Sequence, residues 1–386
     1  MSKKLLIFAP YYPPHVGGLE SHSAEFNYHL AKKGYQITVF TSQLPKNTPL
    51  QEIKDNIEII RFPAFEIVPN YPLPKFWSLK FWKLFISLFK KDFNIVISRT
   101  RFFLSSFMAL IFAKIKKTPL LHIEHGSDFV QLSSKFKSLI AKIYDYTFGW
   151  LIFKFSNKNI AISKAVQKFI YKFDKKRSPI IYRGLNMHDI DNIAKNLKIS
   201  AKYTDKIIIT FVGRLYKWKG VEQSILAIKN LPLVIKEKIV FIIIGDGEDF
   251  LNLKKLSSSE PNVKLFGKLQ REEAISILKV SSIYIHSAFP GGGLSTSLLE
   301  AMYCKNSIIA TPNEGANEII KDNYNGILIS DNNPKYISEK LIDLINNPAK
   351  IKLFGQNAHS HIKQNFSWKK SIEKYEKEFK ELLAKK

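Results

Sequence analysis

Cysteine occurs once in 386 residues, at Cys304, so the chain cannot close an internal disulfide and fits a reducing compartment. Acidic residues are scarce, 33 against 59 lysines and arginines, which leaves a formal charge of +26 at neutral pH. That excess favours an anionic partner: nucleic acid, an acidic membrane surface or an anionic substrate. A general bias toward lysine is the plain alternative. Long apolar runs are missing as well. The longest candidate, Phe102–Ala113, falls short of the ~18–20 uncharged residues that a membrane-crossing helix needs. The opening MSKKLLIFAPYYPP has two lysines and a short apolar run, but no long apolar core or small-residue cleavage site. It reads as a first strand. No G-x-G-x-x-G follows that strand, which argues against a nicotinamide cofactor. No Asp-x-Asp stands at a strand end and no His/Cys group has ligand spacing, so no metal is expected. Short repeats and low-complexity segments are absent too.

What remains is 45% hydrophobic and rich in aromatics, enough to bury two cores of ordinary size. Short apolar strands alternate with loops and helical stretches. Leu5–Ala9 is followed by the turn-rich loop Pro10–Gly18 and a helix ending near Gly34; Ile37–Phe40 and Ile57–Phe62 are further strands. This order begins a doubly wound parallel sheet, which binds ligands beyond the carboxyl ends of its strands. Asn94–Ser98, Leu120–Glu124 and Asn159–Ser163 continue it, with helices at Leu104–Lys114 and Lys164–Phe173. The polar segment Asp189–Asp205 reads as a linker. A second alternating series starts at Ile207–Val212 and runs through Val240–Ile244, Ile283–His286 and Ser307–Ala310.

The most informative stretch is Ile283–Ile320. Pro290-Gly291-Gly292-Gly293 stands between a strand and a helix, a sequence that leaves backbone N–H groups bare and lets a ligand approach the main chain. The positive end of the following helix favours a phosphate. Glu300 sits inside that helix among Leu298, Leu299, Ala301 and Met302. Carboxylates are seldom buried without a partner, so Glu300 is expected to face a cleft and hold hydroxyls. Earlier in the same half, Gly213-Arg214-Leu215 ends a strand and Lys219-Gly220 opens a helix. An arginine fork and a lysine point charge suit a leaving group that gains negative charge.

These motifs, in this order over nearly the whole chain, resemble the family-4 retaining glycosyltransferases. The resemblance implies an α/β chain of the GT-B fold: two Rossmann-like parallel-sheet domains facing a central cleft, with a C-terminal helix crossing back to the first. The domains expected are 1–195 on the acceptor side, 196–365 for the nucleotide-sugar donor, and a returning helix at 366–386. In the family the G-R-L-x-x-x-K-G spacing puts arginine and lysine on the donor diphosphate, here Arg214 and Lys219. Glu300 matches the second of two family glutamates and holds the ribose. The first position is taken by Gly292, so backbone groups of Gly292 and Gly293 are expected to substitute for it, and Leu294 and Ser295 join the donor-binding set. PPHVGGLESH resembles the family's N-terminal glycine loop, which brings Gly17 and Gly18 to the donor phosphates. His125, followed by Gly126, matches a family histidine close to the donor sugar. Gly245-Asp246-Gly247 and Phe266-Gly267 match further signatures, and Ile180–Asn186 matches the interdomain turn with Arg183 in place of its asparagine.

Pro72–Leu121 is the most unusual composition, with ten basic residues against one acid, Asp92, interleaved with phenylalanine and tryptophan. Lys80, Lys83, Ser87 and Lys90 form one polar stripe on an otherwise apolar helix. Ser133–Phe155 is a second basic and aromatic helix. Such helices can lie in a membrane interface, or cover a sheet with their lysines solvated. The expectation is therefore a metal-free, cofactor-free hexosyltransferase of the cytoplasm, peripheral to the inner membrane face. It moves a hexose or N-acetylhexosamine from a nucleotide-sugar to a glycan or lipid-linked acceptor. A nucleotide-sugar epimerase of the same fold and a basic nucleic-acid-binding protein are the rivals; no nucleic-acid motif supports the latter.

Overall fold

The computed structural model of the chain describes residues 3–15, 17–68, 71–129, 135–289, 294–313 and 315–385. The chain divides into two compact units, Met1–Gly184 with Trp368–Lys386, and Leu185–Ser367.

The first unit is built on a seven-stranded sheet. Its strands are β1 (Lys4–Phe8), β2 (Gln36–Ser42), β3 (Gln51–Lys54), β4 (Ile57–Phe62), β7 (Ile95–Arg99), β8 (Leu120–Glu124) and β9 (Lys158–Ala161). A separate antiparallel hairpin, β5 (Ala64–Val68) and β6 (Tyr71–Pro74), lies between β4 and β7 in sequence. The spatial order is β3-β4-β2-β1-β7-β8-β9, parallel except for the edge strand β3. Strands covered on both faces read as continuous apolar runs, and Leu5 to Phe8 are all fully buried. The helix Trp368–Ala384 belongs to this unit: Trp368, Ile372, Tyr375, Phe379 and Leu382 recur at helical spacing and pack with Leu5, Ile7, Phe26 and Leu30.

The second unit holds β10 (Ile207–Val212), β11 (Ile239–Ile244), β12 (Val263–Gly267), β13 (Ile283–His286), β14 (Ser307–Ala310) and β15 (Ile327–Leu328), all parallel, in the order β12-β11-β10-β13-β14-β15. β11, IVFIII, is buried along its whole length. Ridges from Val221–Lys229 and Pro334–Ile345 close one face through Ile225, Ile228, Leu341 and Leu344.

Three local expectations change. The polar segment expected as a linker contains two short helices, Met187–Asn192 and Leu197–Lys202. They are tied to the second unit, since Lys279 Nζ donates to the Asp191 carbonyl at 3.1 Å and the Tyr303 hydroxyl to Asp191 at 3.0 Å. The division accordingly falls at Gly184/Leu185, earlier than residue 195, and again at Ser367/Trp368. The second basic helix is broken within its described part: Lys135–Tyr144 passes through a π-turn, Asp145–Gly149, into Trp150–Phe155. Finally, β3 and the hairpin are strands that the apolar pattern does not reveal: QEIK exposes both faces, and YPLP carries prolines at its buried positions.

Candidate active site

In each sheet the chain leaves β1 or β10 in one direction and returns to its other side, so a switch point lies between β1 and β7 and another between β10 and β13. Crevices at such points, beyond the carboxyl ends, are where open α/β sheets take ligands.

At the second unit's switch point the loop after β10 carries Arg214, which is exposed, and Lys219, which is half-buried with its ammonium 4.3 Å above the Trp218 ring. Burial, and then the nearby Arg214 charge, lower the Lys219 pKa to about 8. Two cations thus lie on one loop, and among the described residues neither forms an ion pair with an acid. The loop is held by its neighbours. Gly220 is left-handed (φ +66°), and a Cβ there would strike the Ser287 carbonyl after β13. The Ser287 hydroxyl donates to the Gly220 carbonyl at 2.7 Å, and Phe289 N–H to the Trp218 carbonyl at 2.8 Å. From the β11 side, Leu215 N–H donates to the Asp246 carbonyl at 2.9 Å. His286, at the end of β13, is buried and kept neutral: burial, then Lys219, lower its pKa to about 3.

Leu294 and Ser295 are half-buried just ahead of the helix Thr296–Tyr303. Pro290–Gly293 lies outside the described residues, and with it the expected roles of Gly292 and Gly293. Glu300 is buried, 6% exposed, but it does not stand alone in a cleft: Arg271 Nε donates to its Oε1 at 2.7 Å. Arg271 opens the helix after β12 and was not legible as a site residue, because twenty-eight residues and a strand separate it from Glu300.

The first unit's switch point is built differently. Gly17 is extended and precedes the helix Gly18–Lys32, whose Glu20 carboxylate accepts from His15 Nδ1 at 2.7 Å. Gly18 is exposed. His125 follows β8, half-buried, with Nδ1 3.1 Å from the Thr100 hydroxyl and Nε2 3.3 Å from His22 Nδ1. Behind it lies a buried charged cluster. Glu124 accepts from the backbone N–H groups of Arg101 and His125 at 2.9 Å each and of Gly126 at 2.6 Å, and it pairs with the Arg101 guanidinium at 3.1 Å. Burial alone would raise the Glu124 pKa, but the Arg101 charge, then His122 and the Arg101 N–H, hold it well below the usual carboxylate range. Arg101 also reaches Asp145 at 3.0 Å, a residue turned inward by the π-turn. Burial raises Asp145 to about 6 against the pull of Arg101.

The model of glycosyl transferases group 1 matches residues 192–361, and that of glycosyltransferase family 4 matches residues 16–189. An uncharacterized glycosyltransferase of Methanocaldococcus jannaschii is 49% identical over 98% of this chain and 99% of its own. The chain belongs to the family-4 glycosyltransferases. The gpi3 subunit of Schizosaccharomyces pombe phosphatidylinositol N-acetylglucosaminyltransferase is 20% identical over 96% of this chain and 79% of its own. Anabaena HepE, solved with UDP-glucose, superposes with a TM-score of 0.72 at 17% identity, covering 99% of this chain and 100% of that one. The fold is GT-B. Within this glycosyltransferase, Arg214 and Lys219 follow β10 while Leu294, Ser295 and Glu300 follow β13, the two strands that flank one switch point; in the other unit Gly17 and Gly18 follow β1 and His125 follows β8.

Outside the switch points, the first unit carries exposed apolar surface. On Leu79–Phe89, Phe81, Phe85 and Leu88 face the core, while Leu79, Trp82 and Ile86 are exposed beside Lys80 and Lys83. Ser87 departs from the expected stripe: it is half-buried, its hydroxyl donating to the Leu84 carbonyl at 2.6 Å. Phe136, Leu139, Ile140 and Ile143 are exposed on Lys135–Tyr144. No helix among the described residues is long and apolar enough to cross a membrane.

Proposed function

We propose that this glycosyltransferase moves a hexose or N-acetylhexosamine from a nucleotide-sugar to a hydroxyl of a glycan or lipid-linked acceptor, with retention at the anomeric carbon. The carrying observation is the pairing of Arg214 and Lys219 on one loop at the second unit's switch point, where burial and then the Arg214 charge depress the Lys219 pKa. Two cations that repel one another in the free protein are stabilised by a diphosphate, and more so as the leaving group gains charge. In this reading they supply the positive charge without a metal, Glu300 holds the ribose with Arg271 orienting it, and His125 contributes beside the sugar. An acceptor hydroxyl attacks on the leaving group's face and passes its proton to the departing diphosphate oxygen. The solved relative with UDP-glucose and the gpi3 relative support a nucleotide-sugar donor and a lipid acceptor. The test is to incubate the full chain with UDP-, GDP- and ADP-sugars plus glycan and lipid acceptors, with and without chelator, and read the product's anomeric configuration by NMR. A β-product from an α-donor overturns retention. Turnover that needs a divalent ion overturns the metal-free reading, and epimerised donor without acceptor replaces transfer.

The same reading puts the protein peripherally on the inner face of a membrane. Its support is the exposed Trp77, Leu79, Trp82 and Ile86 beside Lys80 and Lys83, apolar groups for the interface and cations for anionic headgroups. Each lysine near such a surface contributes about 1 kcal/mol. Wild-type protein should co-sediment with phosphatidylglycerol vesicles at low salt, and K80Q/K83Q/K90Q should not. Equal sedimentation of both removes this surface from the function.

A further inference from the structure

We propose that the triplet Arg99-Thr100-Arg101, where β7 ends and its loop begins, is the positioning element of His125: Arg101 sets its backbone through Glu124, Thr100 holds its ring directly, and Arg99 sets its ring through His22. The inference rests on the reading that His125 acts in the transfer, and it assigns roles to residues that do not themselves touch a donor.

Three observations converge. Arg99 is fully buried, its guanidinium 4.6 Å above the Phe26 ring, and its Nη1 lies 3.1 Å from His22 Nδ1. Its Nε and Nη2, and His22 Nε2, have no hydrogen-bond partner among the described residues. A guanidinium can only donate, so His22 Nδ1 must be the unprotonated nitrogen. The same atom lies 3.3 Å from His125 Nε2, a contact that is productive only when His125 Nε2 carries its proton. His125 Nδ1 is then free to accept the Thr100 hydroxyl at 3.1 Å. Arg99 thereby sets the tautomer of His22, and His22 and Thr100 together set that of His125.

Thr100 stands in the left-handed region (φ +62°), a conformation a β-branched residue rarely adopts. Strain of this kind persists where surrounding structure over-determines it, and it collects at functional sites. Here it turns the Thr100 side chain toward His125 while Arg99 and Arg101 on either side are both fully buried. Arg101 completes the frame from beneath. It neutralises Glu124, whose Oε1 takes the N–H groups of His125 and Gly126 together. A Cβ on Gly126 would lie 2.7 Å from the Arg101 Nη1, so the turn and the guanidinium are fitted to each other.

The charged and titratable groups facing His125 come from every neighbouring element: His22 from the first helix, Arg99 from the end of β7, His122 and Glu124 from β8, and Arg183 from the segment after the helix Lys164–Asp174. Burial, then Arg99, lower its pKa to about 3, against Glu124. The ring therefore meets a ligand neutral and in one tautomer.

The test uses the full chain labelled with ¹⁵N-histidine, comparing wild type with T100V, R99M and R99K, and H125N to assign the resonance. Wild-type His125 should show a neutral Nε2–H ring from pH 5 to 8. T100V should leave it a mixture of tautomers and lower kcat by about tenfold or more, with the donor KM within about twofold. R99M should bring its titration upward by more than about one pH unit, because the depressing charge is gone; R99K should restore the low value. If R99M does not fold, T100V and R99K still decide the matter. Unchanged His125 tautomer and titration in T100V and R99M overturn the proposal. Full activity in H125N, with those spectral changes present, instead removes His125 from the transfer and leaves the positioning network standing.

Discussion

The two switch points share one topology and are furnished in opposite ways. The second unit sets its cations at the surface, Arg214 exposed and Lys219 half-buried, on a loop shaped by Gly220 and stitched by the Ser287 hydroxyl and by backbone bonds to Asp246 and Phe289. The first unit buries its charges: Arg99, Arg101, Glu124 and Asp145 lie at 1% exposure or less, bound to each other and to neighbouring histidines and backbone. Exposed cations wait for a ligand to complete them, so they contribute to affinity and little to stability. Buried charges complete one another, and losing one strands the rest.

The largest effect that separates the two should come from Arg101→Met. It leaves Glu124 and Asp145 buried without their shared cation, and should cost about 3–5 kcal/mol of stability, read from urea unfolding. A loss as small as a surface substitution would break the contrast. Arg214→Ala and Lys219→Ala should do the reverse. Each should lose about 1.5–3 kcal/mol of transition-state stabilisation, roughly ten- to a hundredfold in turnover, while unfolding stays within about 0.5 kcal/mol of wild type. Near-wild-type turnover in both removes them from the site.

Glu300→Gln sharpens the comparison, since Glu300 is the second unit's one site carboxylate that is both buried and paired. Calorimetry should show nucleotide affinity weakened by about 1–2 kcal/mol; unchanged affinity ends the ribose role. The smallest effect is a pH shift. Lys219 loses its proton as pH rises through about 8, so nucleoside diphosphate affinity should fall on the alkaline side. In R214Q the midpoint should move upward, because Arg214 is one of the two causes that lower it. A pH-independent affinity between 7 and 10 excludes Lys219 from the anion contact.

In the second unit's candidate site the legible signals are the local ones. Arg214, Lys219 and Gly220 lie within one loop, and a short stretch of chain with a glycine in the left-handed region shapes it. Arg271 escaped for the opposite reason, meeting Glu300 only after the helix Arg271–Leu278, β13 and the following loop have folded. In the first unit the visible signals were the Gly17-Gly18 loop and the His125-Gly126 pair. Arg99 and Arg101 stood in a basic, aromatic stretch and were read with its surface lysines, although they are buried while Lys80 and Lys83 are exposed.

The sequence by itself determined the parallel strands, because runs such as IVFIII can be stable only when covered on both faces. It also determined the placing of glycines and cations at strand ends, a matter of neighbours along the chain. Only the tertiary structure decided which charges became partners. Arg101 meets Asp145 because a π-turn rotates one residue inward, and Arg99 meets His22 because β7 is laid against β1. A buried charge is tolerable only with a partner in bonding geometry, and that geometry is a property of the packed sheet.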